Sequence, residues 1–192
     1  MSVNVPASPH FSRALEELEA MRWRQGIQVE EIGSPQRIAP YSVALSGELG
    51  TGTTMLSSGR FILLHDPLGN DAWQGTFRIV SYTRAAVDLE MVADPLLPEV
   101  AWSWLTDALS QEGCDAHTLA GTVTASYGRS FGQMSGEADR GEVEVRASWT
   151  PLLDERRSLV DHLLSWQDLL CLVAGEPPEV PGVTSLMERI RR

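Results

Sequence analysis

The chain has no lysine: its 15 basic residues are all arginine, set against 26 acids. That absence excludes a Schiff-base lysine and the lysine of a phosphate-binding loop. Cysteine is scarce. Cys114 and Cys171 lie far apart and form no C-x-x-C pair, so both are expected to be buried thiols in a reducing compartment. No apolar run approaches the roughly 18 residues that a membrane span needs. The start, MSVNVPASPHFSRAL, lacks a basic end followed by a long apolar segment, which argues against a secretory signal. The expectation is a cytoplasmic protein with no membrane contact. Histidine is also sparse. His10, His65, His117 and His162 fall on separate predicted elements with no close ligand pair, so no metal and no cofactor is expected.

What the chain does have is an ordinary apolar fraction, 43% over 192 residues, which suits a single domain. Its net charge of −11 repels nucleic-acid phosphates and anionic membranes. The acids are unevenly placed. Between Arg84 and Arg129 there is no basic residue, while Asp88, Glu90, Asp94, Glu99, Asp107, Glu112 and Asp115 fall in that span.

Read in order, residues 1–8 resemble a frayed end. Ser8–Pro9 starts a helix with a hydroxyl cap and proline at the first position, and Phe11, Ala14, Leu15, Leu18 and Met21 recur at helical spacing. Strands are predicted over Ile27–Ile32, Tyr41–Leu49, Arg60–Asp66 and Trp73–Thr83, the last two forming a central hairpin. Residues 50–59, rich in Gly, Thr and Ser, are predicted to be a mobile loop. Asp94–Pro95 begins a second helix that carries Trp102 and Trp104 and ends at Gly113. Strands follow over Thr118–Phe131 and Val143–Trp149. Thr150–Pro151 is predicted to cap a third helix, with Leu159, Leu163, Trp166, Leu170 and Val173 on its buried stripe. The expected fold is α+β: an antiparallel sheet of about six strands with three helices on one face, in the order helix, four strands, helix, two strands, helix. One domain is expected over residues 9–175, followed by a proline-rich linker and tail over 176–192.

Gly47 to Thr54 has the spacing of a phosphate loop, but Thr53 stands where the lysine belongs and no helix follows. Gly132 to Gly136 has the wrong spacing for a nucleophile elbow. His65 and Asp66, at the tip of the central hairpin, could act as a base or could simply close a turn through hydrogen bonds to backbone. The six tryptophans could line a pocket or fill the core.

The segments HDPLGNDAWQGTFRIVSYTRA, DPLLPEVAWSWLTDAL and VEVRASWTP resemble an actinobacterial family of uncharacterised proteins, domain of unknown function number three thousand. The likeness runs from about Phe11 to Gly175 and implies no activity and no catalytic residues. It also implies a gene neighbourhood beside a ribonuclease D-like gene, which the net charge sets against direct RNA binding. The element order is similar to that of the type III secretion chaperone-like fold. That second likeness implies a small acidic protein binder and a homodimer.

Two functional expectations result. In the first, the protein is a non-enzymatic, chaperone-like binder of another protein of unknown identity. It would use the acidic helix face of Asp94, Glu99, Asp107 and Glu112 with Trp102 or Trp104. In the second, it is a small-molecule binder or enzyme with a pocket at the hairpin tip, built from His65, Asp66 and Trp73 with Arg78 and Arg84.

Overall fold

The computed structural model describes residues 8–35 and 37–176. The expected frayed end and the proline-rich tail therefore lie outside the described residues, apart from Ser8 and Glu176. The strands are β1 (Ile27–Ile32), β2 (Tyr41–Thr51), β3 (Thr54–Asn70), β4 (Gly75–Val87), β5 (Ala116–Gly128) and β6 (Arg140–Pro151). They form one sheet in the order β1-β2-β3-β4-β6-β5, with every neighbouring pair antiparallel. The helices are α1 (Pro9–Ala20), α2 (Leu89–Ala93), α3 (Leu97–Gln111) and α4 (Leu159–Val173). The α+β class and the six-stranded antiparallel sheet are as the sequence predicts.

Alternation assigns the two faces. Val43, Leu45, Phe61, Leu63, Phe77, Ile79, Val143, Val145 and Trp149 all point to the covered side and are buried. Against them lie Leu163, Trp166, Leu169 and Leu170 of α4, Ala101 and Leu105 of α3, and Phe11 and Ala14 of α1, in one continuous core. Fully burying Trp149 and Trp166 alone removes several hundred Å² of ring surface from water, worth about 5 kcal/mol or more before entropy is subtracted.

Several elements differ from expectation, among them β4, which runs over Gly75–Val87, and β5, which ends at Gly128. There are four α-helices, because the short α2 precedes α3. The supposed loop 50–59 is largely strand: β2 and β3 meet in a tight turn between Thr51 and Thr54, and Ser57 to Gly59 pair on both sides. Their small side chains have a packing cause. Gly47 and Gly59 face each other across β2 and β3, and α4 rests on them. A Cβ at Gly47 would stand 2.6 Å from the Trp166 ring, and one at Gly59 would stand 3.1 Å from Leu170. The composition that looked like a loop is thus the seat of the central helix. The cap of α4 is Ser158, whose Oγ accepts the Val160 N–H at 3.0 Å, because Thr150 and Pro151 still belong to β6. Finally, α3 begins at Leu97, after a turn closed by Asp94, rather than at Pro95.

Candidate binding surface

On α3, the buried stripe is Leu97, Ala101, Leu105, Ala108 and Leu109. Trp102 and Trp104 are half-buried and pack against the core. The Trp102 indole lies on β5, where Gly121 leaves room for it: a Cβ there would be 2.6 Å from the ring. The Trp102 ring thus covers part of the sheet. The apolar side chains most exposed at this end are Leu96 and Val100. Asp94 Oδ1 accepts the Leu96 N–H at 2.9 Å. Glu99 sits in the first helical turn, where its charge suits the helix dipole. Asp107 is exposed. Glu112 lies at the far end, about 20 Å along the axis from Glu99. Glu112 raises the pKa of Asp168 on α4, which goes up to about 6, chiefly through burial, with Arg24 working the other way. The six residues of the expected acidic surface are therefore spread from the turn before α3 to its far end, and its two aromatic members are half-buried against the core.

The hairpin-tip residues do not converge either. His65 is buried on the covered face, stacked between Phe11 and Phe77 at ring distances of 5.2 and 4.3 Å. Its Nδ1–H donates to the Thr76 carbonyl at 3.0 Å, and its Nε2 accepts the Ser8 N–H at 3.5 Å. Both ring nitrogens are thus occupied, and burial lowers its pKa. Asp66 Oδ1 accepts the Leu68 N–H at 3.1 Å and closes its own turn. Trp73 is half-buried, and its carbonyl accepts the Thr150 hydroxyl at 2.6 Å. Arg78 and Arg84, at even positions of β4, project from the opposite face of the sheet from His65.

Arg78 has a local task. Its guanidinium donates to the Thr118 carbonyl and hydroxyl at 3.0 and 2.6 Å, to Thr150 Oγ1 at 3.2 Å and to Ser148 Oγ at 2.6 Å. Thr118 sits at φ 49°, inside the register shift between His117 and Ala120. Arg78 thereby satisfies groups that the bulge takes out of the ladder.

The uncovered face holds a group of residues of which the sequence points only to Arg84. One cross-strand row reads Ser46, Arg60, Tyr82, Arg146, Thr122, and the next reads Glu48, Ser58, Arg84, Glu144, Thr124. Arg60, Arg84 and Arg146 therefore surround Tyr82. The Arg146 guanidinium lies 5.4 Å from the Tyr82 ring centre, in cation–π range, and its Nε donates to Glu144 at 2.6 Å. The Tyr82 hydroxyl donates to the other Glu144 oxygen at 2.9 Å, and burial, followed by that carboxylate, raises its pKa. Arg84 has only a 3.9 Å contact to Glu142 and a 3.3 Å hydrogen bond to Ser58. The Arg60 side chain makes no hydrogen bond or ion pair with any described residue. These residues bound an open depression of about 560 Å³, floored by Ile62 and Val80. A second depression of about 530 Å³ adjoins it across Val80, Tyr82 and Arg146, and runs over Ala120, Gly121 and Ala147.

A family model described as a protein of unknown function, DUF3000, matches residues 7–184. The chain belongs to the DUF3000 family. No curated protein and no solved structure matches it, so the likeness to type III secretion chaperones carries no argument here. The match spans every element from α1 to α4 of this DUF3000 chain. Among its described residues, no three or more of His, Cys, Asp and Glu are grouped so as to hold a metal ion, and no helix is long and apolar enough to cross a membrane. Burial pushes the Cys114 thiol up to about 11, which keeps it protonated at neutral pH and a poor nucleophile. The signal for the arginine group was present in the alternation of β3, β4 and β6. It could not be read without knowing the strand order and which face the helices cover.

Proposed function

We propose that this DUF3000 chain is a non-catalytic protein-binding module whose working surface is the uncovered face of its sheet, centred on Arg60, Tyr82, Arg84 and Arg146. One observation carries the reading: in a chain of net charge −11, three arginines meet on an open depression, and one of them, Arg60, has no partner among the described residues. A merely solvated sheet face is the ordinary alternative. It accounts for Arg146, paired with Glu144 and stacked on Tyr82, and for the Arg84–Glu142 contact, but not for Arg60. Arginine binds carboxylates through a planar fork and does not exchange protons near neutral pH, so the surface is suited to recognition rather than to acid–base chemistry. The acids of α3 then serve solubility and repel nucleic acid. The same reading places the protein in the cytoplasm, where its thiols stay reduced.

The test compares three immobilised proteins exposed to one cell extract: wild type, Arg60→Glu with Arg146→Glu, and Asp107→Arg with Glu112→Arg. Circular dichroism checks that each is folded. Loss of the captured proteins in the sheet-face variant alone supports the reading. Loss in the α3 variant alone moves the surface to the helix and refutes it.

A further inference from the structure

Resting on that reading, we infer that the sheet face recognises a partner segment in which an acidic residue stands beside an apolar one. The two adjoining depressions are chemically unlike. One is rimmed by Arg60, Arg84 and Arg146, with Glu48 the one carboxylate among its lining residues. The other is formed by the side chains of Val80 and Ala120 and by the backbone at Gly121 and Ala147, whose own side-chain positions belong to the covered face. They share Tyr82 and Arg146, so one occupant reaches both. A carboxylate set between Arg60 and Arg84 meets two guanidinium groups, of which the first has no ion-pair partner among the described residues and the second is held only by a 3.9 Å contact to Glu142 and a 3.3 Å hydrogen bond to Ser58. Charge-assisted hydrogen bonds of this kind are the strong ones. An apolar side chain over Val80 and Ala120 removes both surfaces from water.

The shape selects a chain segment over a small molecule. Both depressions are broad and open along the sheet, whereas a small ligand needs most of its surface enclosed. A segment of a folded partner brings its own scaffold and can bind to a shallow surface. Cross-strand side-chain spacing on an antiparallel sheet is about 5 Å, with diagonal neighbours at about 7–8 Å. The side chains at i and i+2 of an extended segment are separated by about 7 Å, so an acidic and an apolar residue on one side of such a segment are one cross-strand row apart on the sheet.

The probes are short fluorescein-labelled peptides titrated onto the full chain by anisotropy: repeats of Glu-Ser-Leu-Ser (Glu/Leu), which set Glu and Leu two positions apart on one side of an extended segment, of Glu-Ser-Ser-Ser (Glu/Ser), and of Lys-Ser-Leu-Ser (Lys/Leu). Backbone amide NMR shifts locate each contact. The Glu/Leu peptide is expected to bind about tenfold more tightly than Glu/Ser, a difference of about 1.4 kcal/mol, and to shift amides of β3, β4 and β6. Arg60→Gln, which removes no side-chain hydrogen bond or ion pair with a described residue, is expected to weaken it about fivefold. Ala120→Leu, which fills the apolar hollow, is expected to bring it down to the Glu/Ser value. Equal binding of Glu/Leu and Lys/Leu on the same face overturns this inference while leaving the face as the working surface. Shifts confined to α3 overturn both. No binding of any peptide overturns the acidic–apolar chemistry, and the extract comparison still decides the surface on its own.

Discussion

Replacing His162 with glutamine takes a titrating group out of the core and leaves an acceptor in its place. In the wild type, Trp149 Nε1–H donates to His162 Nδ1 at 3.2 Å, and both rings are inaccessible to solvent. Burial lowers the His162 pKa to about 4 from an ordinary 6.5, with the charge of Asp115 only partly offsetting it. Between those pH values the unfolded chain binds a proton that the folded chain refuses. The contribution is therefore fully present above pH 6.5 and is lost as the pH falls towards 4, where the folded imidazole takes its proton and Trp149 loses its acceptor. Each pKa unit is worth about 1.4 kcal/mol, so this residue alone is expected to remove about 3 kcal/mol of stability across that window. His65, whose pKa burial also lowers, works in the same direction. Asp168 opposes them, because its raised pKa favours the folded state at low pH. The difference between wild type and His162→Gln isolates the one group. Urea unfolding at pH steps from 7.5 to 4.5 is the assay, with histidine NMR titration as the direct check. The glutamine variant is expected to have a distinctly flatter profile. Parallel profiles, or a His162 titration near pH 6.5, would refute the reasoning.

Three further outcomes can be checked with the same unfolding measurements. Gly47→Ala places a methyl 2.6 Å from the Trp166 ring and is expected to cost about 2–3 kcal/mol through overpacking; an unchanged midpoint would mean that α4 does not rest on the sheet there. Arg78→Lys cannot reproduce a fork that serves Thr118, Ser148 and Thr150 together, and is expected to cost about 1–3 kcal/mol with faster amide exchange confined to residues near the β5 bulge. Asp168→Asn removes a carboxylate whose pKa is raised to about 6. The wild type is penalised as the pH rises through 6, so the variant is expected to gain stability above that pH, on the order of 1 kcal/mol after solvent screening, and to match the wild type near pH 4.

By itself, the sequence determined the class of object. The period-two run from Val143 to Trp149 and the helical stripe from Leu159 to Val173 each admit one regular structure, because each hides its apolar groups on one side only in that structure. Ser8–Pro9 marked the start of α1 for an equally local reason: the cap is made between Ser8 Oγ and the Phe11 N–H at 3.3 Å. Residues 54–59 were misread because Gly, Ser and Thr favour loops locally, whereas their strand is imposed by pairing on both sides and by the helix resting on Gly59. The surfaces divide along the same line. The acids from Asp88 to Asp115 are neighbours along the chain and were visible as such. Arg60, Arg84 and Arg146 become neighbours only when β3, β4 and β6 lie side by side, and they become accessible only because all the core-forming helices pack on the other face. Strand order and the choice of covered face are set by contacts distant in sequence, and those the tertiary structure alone decided.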